Sequence, residues 1–250
     1  MNPSVSGDPH FKTWSGAKYD FHGVCDLVLL QNPGFENGLG MNIHVRTKQL
    51  KQFSYVSTAV LQIGDDTLEV MGGNHGSLHW INKEANAELD KGISGFPISH
   101  HKANSQQDEF IVHLGGDKAI VMKTFKKFVR VSIEAPTKEA FGTSLGLLGS
   151  YGLGEMVARD KNTRLADANE FGQEWQVLPS DGMLFHNVEG PQAPAKCDVP
   201  QVSNVRRRLA QSKFTEEEAE IACARVNSED FDLCVFDVMA TGDKDVVGAY

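Results

Sequence analysis

Short runs of alternating apolar and polar residues, separated by glycine-containing turns, dominate the first half of the chain. Residues 128–133 alternate with a period of two, which is typical of a strand with one buried face. The apolar runs 56–63 and 67–71 flank a turn of glycine and aspartate, as do 110–114 and 119–122, and each pair predicts a β-hairpin. Many short strands at this spacing predict a mainly β fold, an antiparallel sandwich or barrel.

The periodicity changes near the C-terminus, where two short helices are predicted. Thr215 and Glu218 have the spacing of a capping box, in which the two side chains satisfy free backbone N–H groups at a helix start. Apolar residues then share one helical face as far as Val226. A second helix begins at Ser228 and ends near Gly242, because glycine favours the left-handed conformation that closes a helix.

The charge of the chain disfavours several classes of partner. The net charge is −9, and a negative field repels nucleic acids and anionic membranes. No apolar run approaches the roughly 20 residues that cross a bilayer, so no membrane span is predicted. The first six residues lack the apolar core of a secretory signal. The chain is therefore either cytosolic or a secreted protein whose signal is absent from this sequence.

The four cysteines leave two interpretations open. They stand at positions 25, 197, 223 and 234, and no two of them form a Cys-x-x-Cys motif. A thioredoxin-type or zinc-ribbon site is therefore not indicated. An even number of cysteines fits two disulfides and fits four buried thiols equally well.

The histidines and the single basic cluster give no strong sign of a catalytic or metal site. His75 and His79 stand four residues apart, a spacing that forms a metal-binding face on a helix. Glycines around them predict a turn instead, so we interpret this pair, and the adjacent His100 and His101, as solvated. The cluster Arg206-Arg207-Arg208 fits a solvated helix face better than a processing site or a patch for an acidic partner. Hydrolase serine motifs and phosphate-binding glycine loops are absent from the sequence.

Three segments together resemble a known family of extracellular domains. The first opens with Gly-Asp-Pro-His at 7–10 and continues with Tyr-Asp-Phe at 19–21 and with Cys25. Later, 146–151 reads Gly-Leu-Leu-Gly-Ser-Tyr and 169–177 reads Asn-Glu-Phe-Gly-Gln-Glu-Trp-Gln-Val. These segments are similar to the motifs of the von Willebrand factor type D domain family. The resemblance implies an antiparallel β-sandwich.

The resemblance also implies how the cysteines pair. Family members usually join a cysteine before the opening motif to one in a Gly-Leu-Cys-Gly segment. Both are missing here, since Leu148 fills the second place. The other family pair corresponds to Cys25 and Cys197, which leaves Cys223 to pair with Cys234. Disulfides persist in oxidising compartments, so this pairing favours secretion.

The resemblance raises the question of whether this chain binds calcium. The family holds the ion near its opening motif and its glycine loop, which places ligands at Ser15, Ser150 and Gly152. The family has Asp, Asn and Asp at these places, and calcium requires 6–8 oxygen ligands with several carboxylates. Nearby oxygens that could rebuild a site belong to Glu155, Asp160 and Asn162. We expect an ion-free loop and no cofactor, with a bound calcium as the alternative.

The Asp8-Pro9 bond is the one candidate for chemistry. In some relatives this bond cleaves itself at mildly acid pH. The Asp8 carboxylate can attack its own carbonyl, and His10 can supply the proton that makes the proline nitrogen a leaving group. The alternative, which we prefer, is a rigid entry into the first strand with the φ angle fixed by Pro9.

The sequence therefore predicts a mainly β protein with a small C-terminal helical hairpin. The predicted segments are a type D-like β domain over 7–178, an extended proline-containing linker over 179–200 that is closed by Cys197, and a helical module over 201–245. The resemblance implies a non-catalytic extracellular module for adhesion, assembly or ligand binding, with a protein or glycan partner and an open oligomeric state. The alternatives are self-processing at Asp8-Pro9 and an enzyme with luciferase-like oxidation in a cleft.

Overall fold

The computed structural model describes residues 2–7, 9–50, 53–187, 194, 196–200, 212–228 and 230–250. The chain divides into two compact units, Met1–Pro200 and Gln201–Tyr250. The described part of the first unit is mainly β and that of the second is helical. The predicted fold class, mainly β with a small helical part, is confirmed.

Two antiparallel sheets of 7 and 6 strands form the first unit. The strands are β1 (Ser4–Ser6), β2 (His10–Lys12), β3 (Lys18–Asp20), β4 (Asp26–Asn32), β5 (Met41–Leu50), β6 (Phe53–Ile63), β7 (Asp66–Met71), β8 (Leu78–Ile81), β9 (Glu84–Ala85), β10 (Ile98–Asn104), β11 (Gln107–His113), β12 (Ala119–Phe125) and β13 (Phe128–Glu134). The larger sheet has the order β10-β11-β12-β13-β1-β2-β3, and the smaller sheet follows the chain from β4 to β9.

The inner faces of the two sheets enclose one large hydrophobic core. Successive residues of a strand point to opposite faces, so alternate positions of β5 and β6 enter this core. Ile43, Val45 and Leu61 are completely buried there, as are Phe110 and Val131 of the larger sheet. The opposite face of the six-stranded sheet carries His44, Arg46 and Glu69, which are also buried and therefore need a separate cover.

Helices are short in the described residues. They are α1 (Lys138–Phe141), α2 (Ala168–Glu174), α3 (Glu216–Cys223) and α4 (Phe231–Thr241), with 3-10 turns at Phe35–Gly38, Pro179–Asp181 and Lys244–Ala249. The capping box predicted for Thr215 and Glu218 begins α3. Gly242 ends α4 with φ at 66°, the left-handed conformation expected of a closing glycine. In the part of the chain that the structure describes, no helix has the length and hydrophobicity to cross a membrane.

All four cysteines are paired. One disulfide joins Cys25 to Cys197, and the other joins Cys223 to Cys234 between α3 and α4. These are the pairs that the family resemblance implies, and each bond lies within one compact unit. The interpretation of four buried thiols is therefore wrong.

Candidate functional site

The tryptophan of the opening motif ties that motif to the glycine-rich segment. The Nε1 atom of Trp14 donates to the carbonyl of Gly149 at 3.1 Å, and its backbone N–H donates to the carbonyl of Leu148 at 3.2 Å. The indole also packs against Phe141 and Tyr151, with ring centroids 5.6 and 5.0 Å apart. Two of the three segments that carry the family resemblance therefore meet in one packed unit.

Phe21 of the opening motif is packed between two glycines. Its ring is completely buried. A Cβ atom added to Gly172 of α2 would lie 2.2 Å from the ring, and one added to Gly23 would lie 2.4 Å from it. These distances exclude any side chain at either position unless the ring moves. Glycine at both positions is thus required by packing.

The positions that the resemblance implies for calcium lie in a tight loop lined by hydroxyl groups. The Oγ atom of Ser15 is 3.1 Å from the Oγ1 atom of Thr13. A Cβ on Gly154 would lie 2.4 Å from the Ser15 Oγ, so the loop backbone passes close to these hydroxyls. The Oγ atom of Ser150 is buried and has no hydrogen-bond partner among the described residues. Hydroxyls without a carboxylate fit calcium poorly.

The two nearby carboxylates that could rebuild a calcium site, Glu155 and Asp160, are held by other partners. Glu155 forms an ion pair of 3.1 Å with Arg164. The Asp160 carboxylate accepts hydrogen bonds from the Thr163 hydroxyl and from the backbone N–H groups of Thr163 and Asn162, at 2.6 to 2.8 Å. These bonds, that of the Thr163 hydroxyl first, lower the pKa of Asp160. Among the residues that the structure describes, no group of three His, Cys, Asp or Glu side chains is arranged to hold a metal.

His10 is buried beside the bond considered for self-cleavage. Its Nδ1 atom lies 2.7 Å from the Oδ1 atom of Asp20, its partner across β2 and β3. Burial alone would raise the pKa of Asp20, but the hydrogen bond and charge of His10, with the charge of His22, outweigh it and lower the pKa. Asp8 lies outside the described residues, so cleavage of the Asp8-Pro9 bond stays a prediction.

One histidine of each remaining pair, His79 and His100, packs on the same ring, that of Phe110, and their own ring centroids are 6.5 Å apart. His75 and His101 are exposed, in keeping with the solvated positions that we predict. His79 contacts the carbonyl of Ala87 at 3.0 Å. His100 lies 2.9 Å from the Oδ1 atom of Asp108 and stacks on Phe110. The cluster Arg206-Arg207-Arg208 lies outside the described residues.

The comparison with protein families supports the resemblance. The model of the von Willebrand factor type D domain matches residues 3–153, which include both sheets and the glycine loop as far as Leu153. The chain belongs to this family. A comparison with curated proteins finds no match. The matched range of the type D domain ends before α2 and before the segment that covers the outer face of the six-stranded sheet.

That cover is the segment Asp181–Asn187, which we call the strap, and sequence reasoning did not find it. The sequence predicts an extended linker here, yet Leu184 and Phe185 are buried and form a small apolar cluster with Val60 of β6. Four side chains stand in register under the strap, one on each strand from β5 to β8: His44, Val60, Glu69 and Trp80. In the sequence, polar strand residues such as His44 and Glu69 give no local sign that another segment of the chain covers them.

The strap is held by side-chain contacts of several kinds. The backbone N–H of His186 donates to Glu69 Oε2 at 2.7 Å, and the Nδ1 atom of His186 lies 2.7 Å from Glu69 Oε1. The His186 imidazole also stacks on Trp80, with ring centroids 3.9 Å apart. The Arg46 guanidinium lies 4.1 Å from the centre of the Phe185 ring. The first residue of the strap, Asp181, accepts a hydrogen bond of 2.7 Å from Arg159.

Both ends of the region that contains the strap are fastened to β4. Before the strap, Val177 N–H donates to the carbonyl of Asp26 at 2.8 Å, and Gln176 bridges to Leu27. After it, Cys197 is bonded to Cys25, just before β4. The region therefore starts at β4, reaches β7 and β8 at His186, and is joined to the start of β4 by the Cys25–Cys197 disulfide.

Proposed function

We propose that this chain is a non-catalytic extracellular module that acts in adhesion, assembly or ligand binding through its surface. The family membership supports the general class, since type D domains serve such roles. The observation that carries the proposal is that two residues of the opening motif, Trp14 and Phe21, are held in the packing of the fold. Trp14 bonds to the glycine segment and Phe21 fills a site between two glycines. Trp14 and Phe21 of the motif therefore serve the packing of the fold, which supports a module that acts through its surface.

The disulfides and the charge of the chain support the extracellular part of the proposal. Two disulfides with no free cysteine fit an oxidising compartment. A net charge of −9 supports a protein or glycan as the partner over a nucleic acid.

A binding panel with matched controls tests this function. The folded chain is immobilised, and matrix glycoproteins and mucins are passed over it in a surface plasmon resonance experiment, each before and after removal of its glycans. We expect saturable binding to at least one ligand, and loss of that binding when the chain has been reduced and alkylated. Binding that survives unfolding of the chain, or no binding across the panel, would count against a surface-acting module.

Self-processing at Asp8-Pro9 is the second candidate. The contact of His10 with Asp20 favours it, because the buried imidazole that directly follows Pro9 in the chain is held 2.7 Å from a carboxylate. In this reaction the Asp8 carboxylate attacks its own carbonyl carbon. The bond to the Pro9 nitrogen breaks as that nitrogen takes a proton, and water then opens the anhydride. Incubation at pH 5 followed by intact-mass measurement tests it, with Asp8→Asn as the control that removes the attacking carboxylate.

A further inference from the structure

Two histidines project toward each other from the inner faces of the two sheets. His79 lies on β8 opposite Val70 of β7, and His100 lies on the edge strand β10 opposite Phe110 of β11. Residues directly opposite each other in neighbouring strands project from the same face of a sheet, and Val70 and Phe110 belong to the core between the sheets. Both histidines therefore point inward, one from each sheet, and we call them the inter-sheet histidine pair.

The two imidazoles are close enough to bind one metal ion. Their ring centroids are 6.5 Å apart, and both rings pack on the ring of Phe110. A metal–nitrogen bond of about 2.0–2.1 Å places the centroids of two imidazoles on one ion about 5–6.5 Å apart, depending on the angle at the metal. The observed distance lies at the upper end of this range. The His100 side chain is 33% exposed, so an ion can reach it from solvent and its ring has room to turn.

Hydrogen bonds determine which nitrogen of each imidazole is available to an ion. The Nε2 atom of His79 lies 3.0 Å from the carbonyl oxygen of Ala87, which only accepts, so this nitrogen carries the proton. The Nε2 atom of His100 lies 2.9 Å from the Oδ1 atom of the Asp108 carboxylate and donates to it in the same way. In each neutral imidazole the Nδ1 atom then holds the lone pair, and no described residue bonds to that atom. A carbonyl or a carboxylate on the second nitrogen is the usual arrangement of a metal-binding histidine.

Asp108 is itself held in place as an ionised group. Its side chain is 3% exposed, and its Oδ2 atom accepts hydrogen bonds from the backbone N–H of Ser77 at 3.2 Å and from the Ser77 hydroxyl at 2.9 Å. Burial alone would raise the pKa of Asp108, but the hydrogen bonds of Ser77 and His100 outweigh it and lower the pKa. The carboxylate therefore orients the His100 ring and places a negative charge close to the position of a bound cation.

We propose that the inter-sheet histidine pair binds a divalent transition-metal ion through its two Nδ1 atoms, with water completing the coordination. This site goes beyond the proposed function, whose partner is a protein or a glycan, and it shares no residue with the calcium position that the family resemblance implies. Imidazole nitrogen suits copper and zinc, and the general order of affinities places Cu²⁺ above Zn²⁺. A bound ion links β8 of one sheet to β10 of the other.

Calorimetric titration of the intact chain with Cu²⁺, and separately with Zn²⁺, tests the site. We expect one ion per molecule, with a micromolar dissociation constant for Cu²⁺ and a larger one for Zn²⁺. His79→Gln and His100→Gln should each abolish binding in the micromolar range. Asp108→Asn leaves both ligands in place and should weaken binding by about 10- to 100-fold. His101→Gln is the matched control, because His101 stands opposite Glu109 and projects from the other face of the sheet, so this variant should bind as the wild type does.

A spectroscopic measurement keeps the test independent of folding defects in the variants. Electron paramagnetic resonance of the wild type with less than one equivalent of Cu²⁺ should show coupling to two imidazole nitrogens, and His101→Gln should give the same spectrum. The unfolding temperature of the wild type should also rise by about 5 °C when the free ion is at a hundredfold excess over its dissociation constant. Coupling to fewer than two imidazole nitrogens, or Cu²⁺ binding that His79→Gln and His100→Gln leave unchanged, would overturn the metal site and would leave the proposed binding module unaffected.

Discussion

Arg46 and Asp26 form a buried ion pair on neighbouring strands, β5 and β4. The Nε and Nη2 atoms of Arg46 donate to the two carboxylate oxygens of Asp26 at 2.7 and 2.8 Å. Only 5% of the Arg46 side chain and 1% of the Asp26 side chain is exposed. Burial raises the pKa of Asp26 and the nearby Glu69 adds to the rise, although Arg46 opposes it. A pair in this environment stabilises the fold only while both members are present.

Removal of one member should therefore cost more than removal of both. We expect Arg46→Met to lower the free energy of unfolding by about 3–5 kcal/mol, because it leaves a buried carboxylate unpaired. The double variant Arg46→Met with Asp26→Leu should recover most of this loss. Urea denaturation measures both. Lys91→Ala is the control, since the Lys91–Glu88 pair is 79% and 77% exposed and should change stability by less than about 0.5 kcal/mol. A double variant as unstable as the single one would contradict the prediction.

His44 should make the protein less stable in acid. Burial lowers the pKa of this imidazole to about 4, with a smaller opposing effect of Asp181 and a further lowering by Arg159. His44 is protonated near pH 6.5 in the unfolded chain but only near pH 4 in the folded chain. The free energy of unfolding therefore falls as the pH falls from about 6.5 to 4. We expect His44 to account for a loss of about 2 kcal/mol between pH 7 and 4.5.

Urea denaturation at both pH values checks the effect of His44. The pH dependence should be smaller in His44→Leu and unchanged in His75→Leu, because His75 is exposed. An equal slope in the wild type and in His44→Leu would show that His44 is not the group responsible.

The two disulfides should differ in their contribution to stability. Cys25 and Cys197 are separated by 172 residues, and Cys223 and Cys234 by 11. In the chain-entropy model the longer loop gives about 5 kcal/mol and the shorter about 3 kcal/mol. Alanine at both members of each pair, followed by urea denaturation, measures the two losses. Equal losses, or a larger loss for the shorter loop, would mean that packing around the sulfurs outweighs loop entropy.

Gly172 should not tolerate alanine, although it lies in a helix. Alanine normally stabilises a helix by about 1 kcal/mol over glycine. Here the added Cβ would lie 2.2 Å from the Phe21 ring, so we expect a net loss of about 1–3 kcal/mol. Gly172→Ala should cost less stability in a chain that also carries Phe21→Leu. A double-mutant cycle detects this coupling between the two positions. Asn169→Ala, on the exposed side of the same helix, should be neutral or stabilising.

Calcium should not stabilise the chain. The Ser15 and Ser150 hydroxyls lie at the implied site, while Glu155 pairs with Arg164 and Asp160 closes its own turn. We expect the unfolding temperature to stay the same on addition of millimolar calcium, and calorimetric titration to show no binding. Micromolar affinity in that titration would require the loop to rearrange around the ion.

The strands and turns that the sequence predicts depend on residues that are close together in the chain. The β6–β7 hairpin is visible in the sequence because period-two alternation and a glycine turn act over a few residues, and Gly64 has φ at 56° in that turn. The edge strand β10 was missed. Its residues Ile98–Asn104 are mostly exposed polar side chains, and backbone pairing with β11 alone defines the strand.

The candidate site likewise contains residues that local sequence patterns reveal and residues that they do not. Trp14, Phe21 and the glycine segment were recognisable because each stands in a motif of fixed local spacing. The strap was not recognisable, since Leu184, Phe185 and His186 follow a proline and resemble linker in the sequence. Their burial depends on Glu69 and Trp80, which lie more than a hundred residues earlier in the chain.

The sequence by itself determined the elements of this protein: strand periodicity, turn chemistry and helix capping depend on neighbours within a few residues. The tertiary structure alone decided which polar groups are buried and with whom they pair. The Arg46–Asp26 pair, the buried His44 and the His186–Glu69 contact exist because strand pairing places side chains in register and the strap then excludes water from them. Charge burial is a property of distant segments brought together, and no local pattern encodes it.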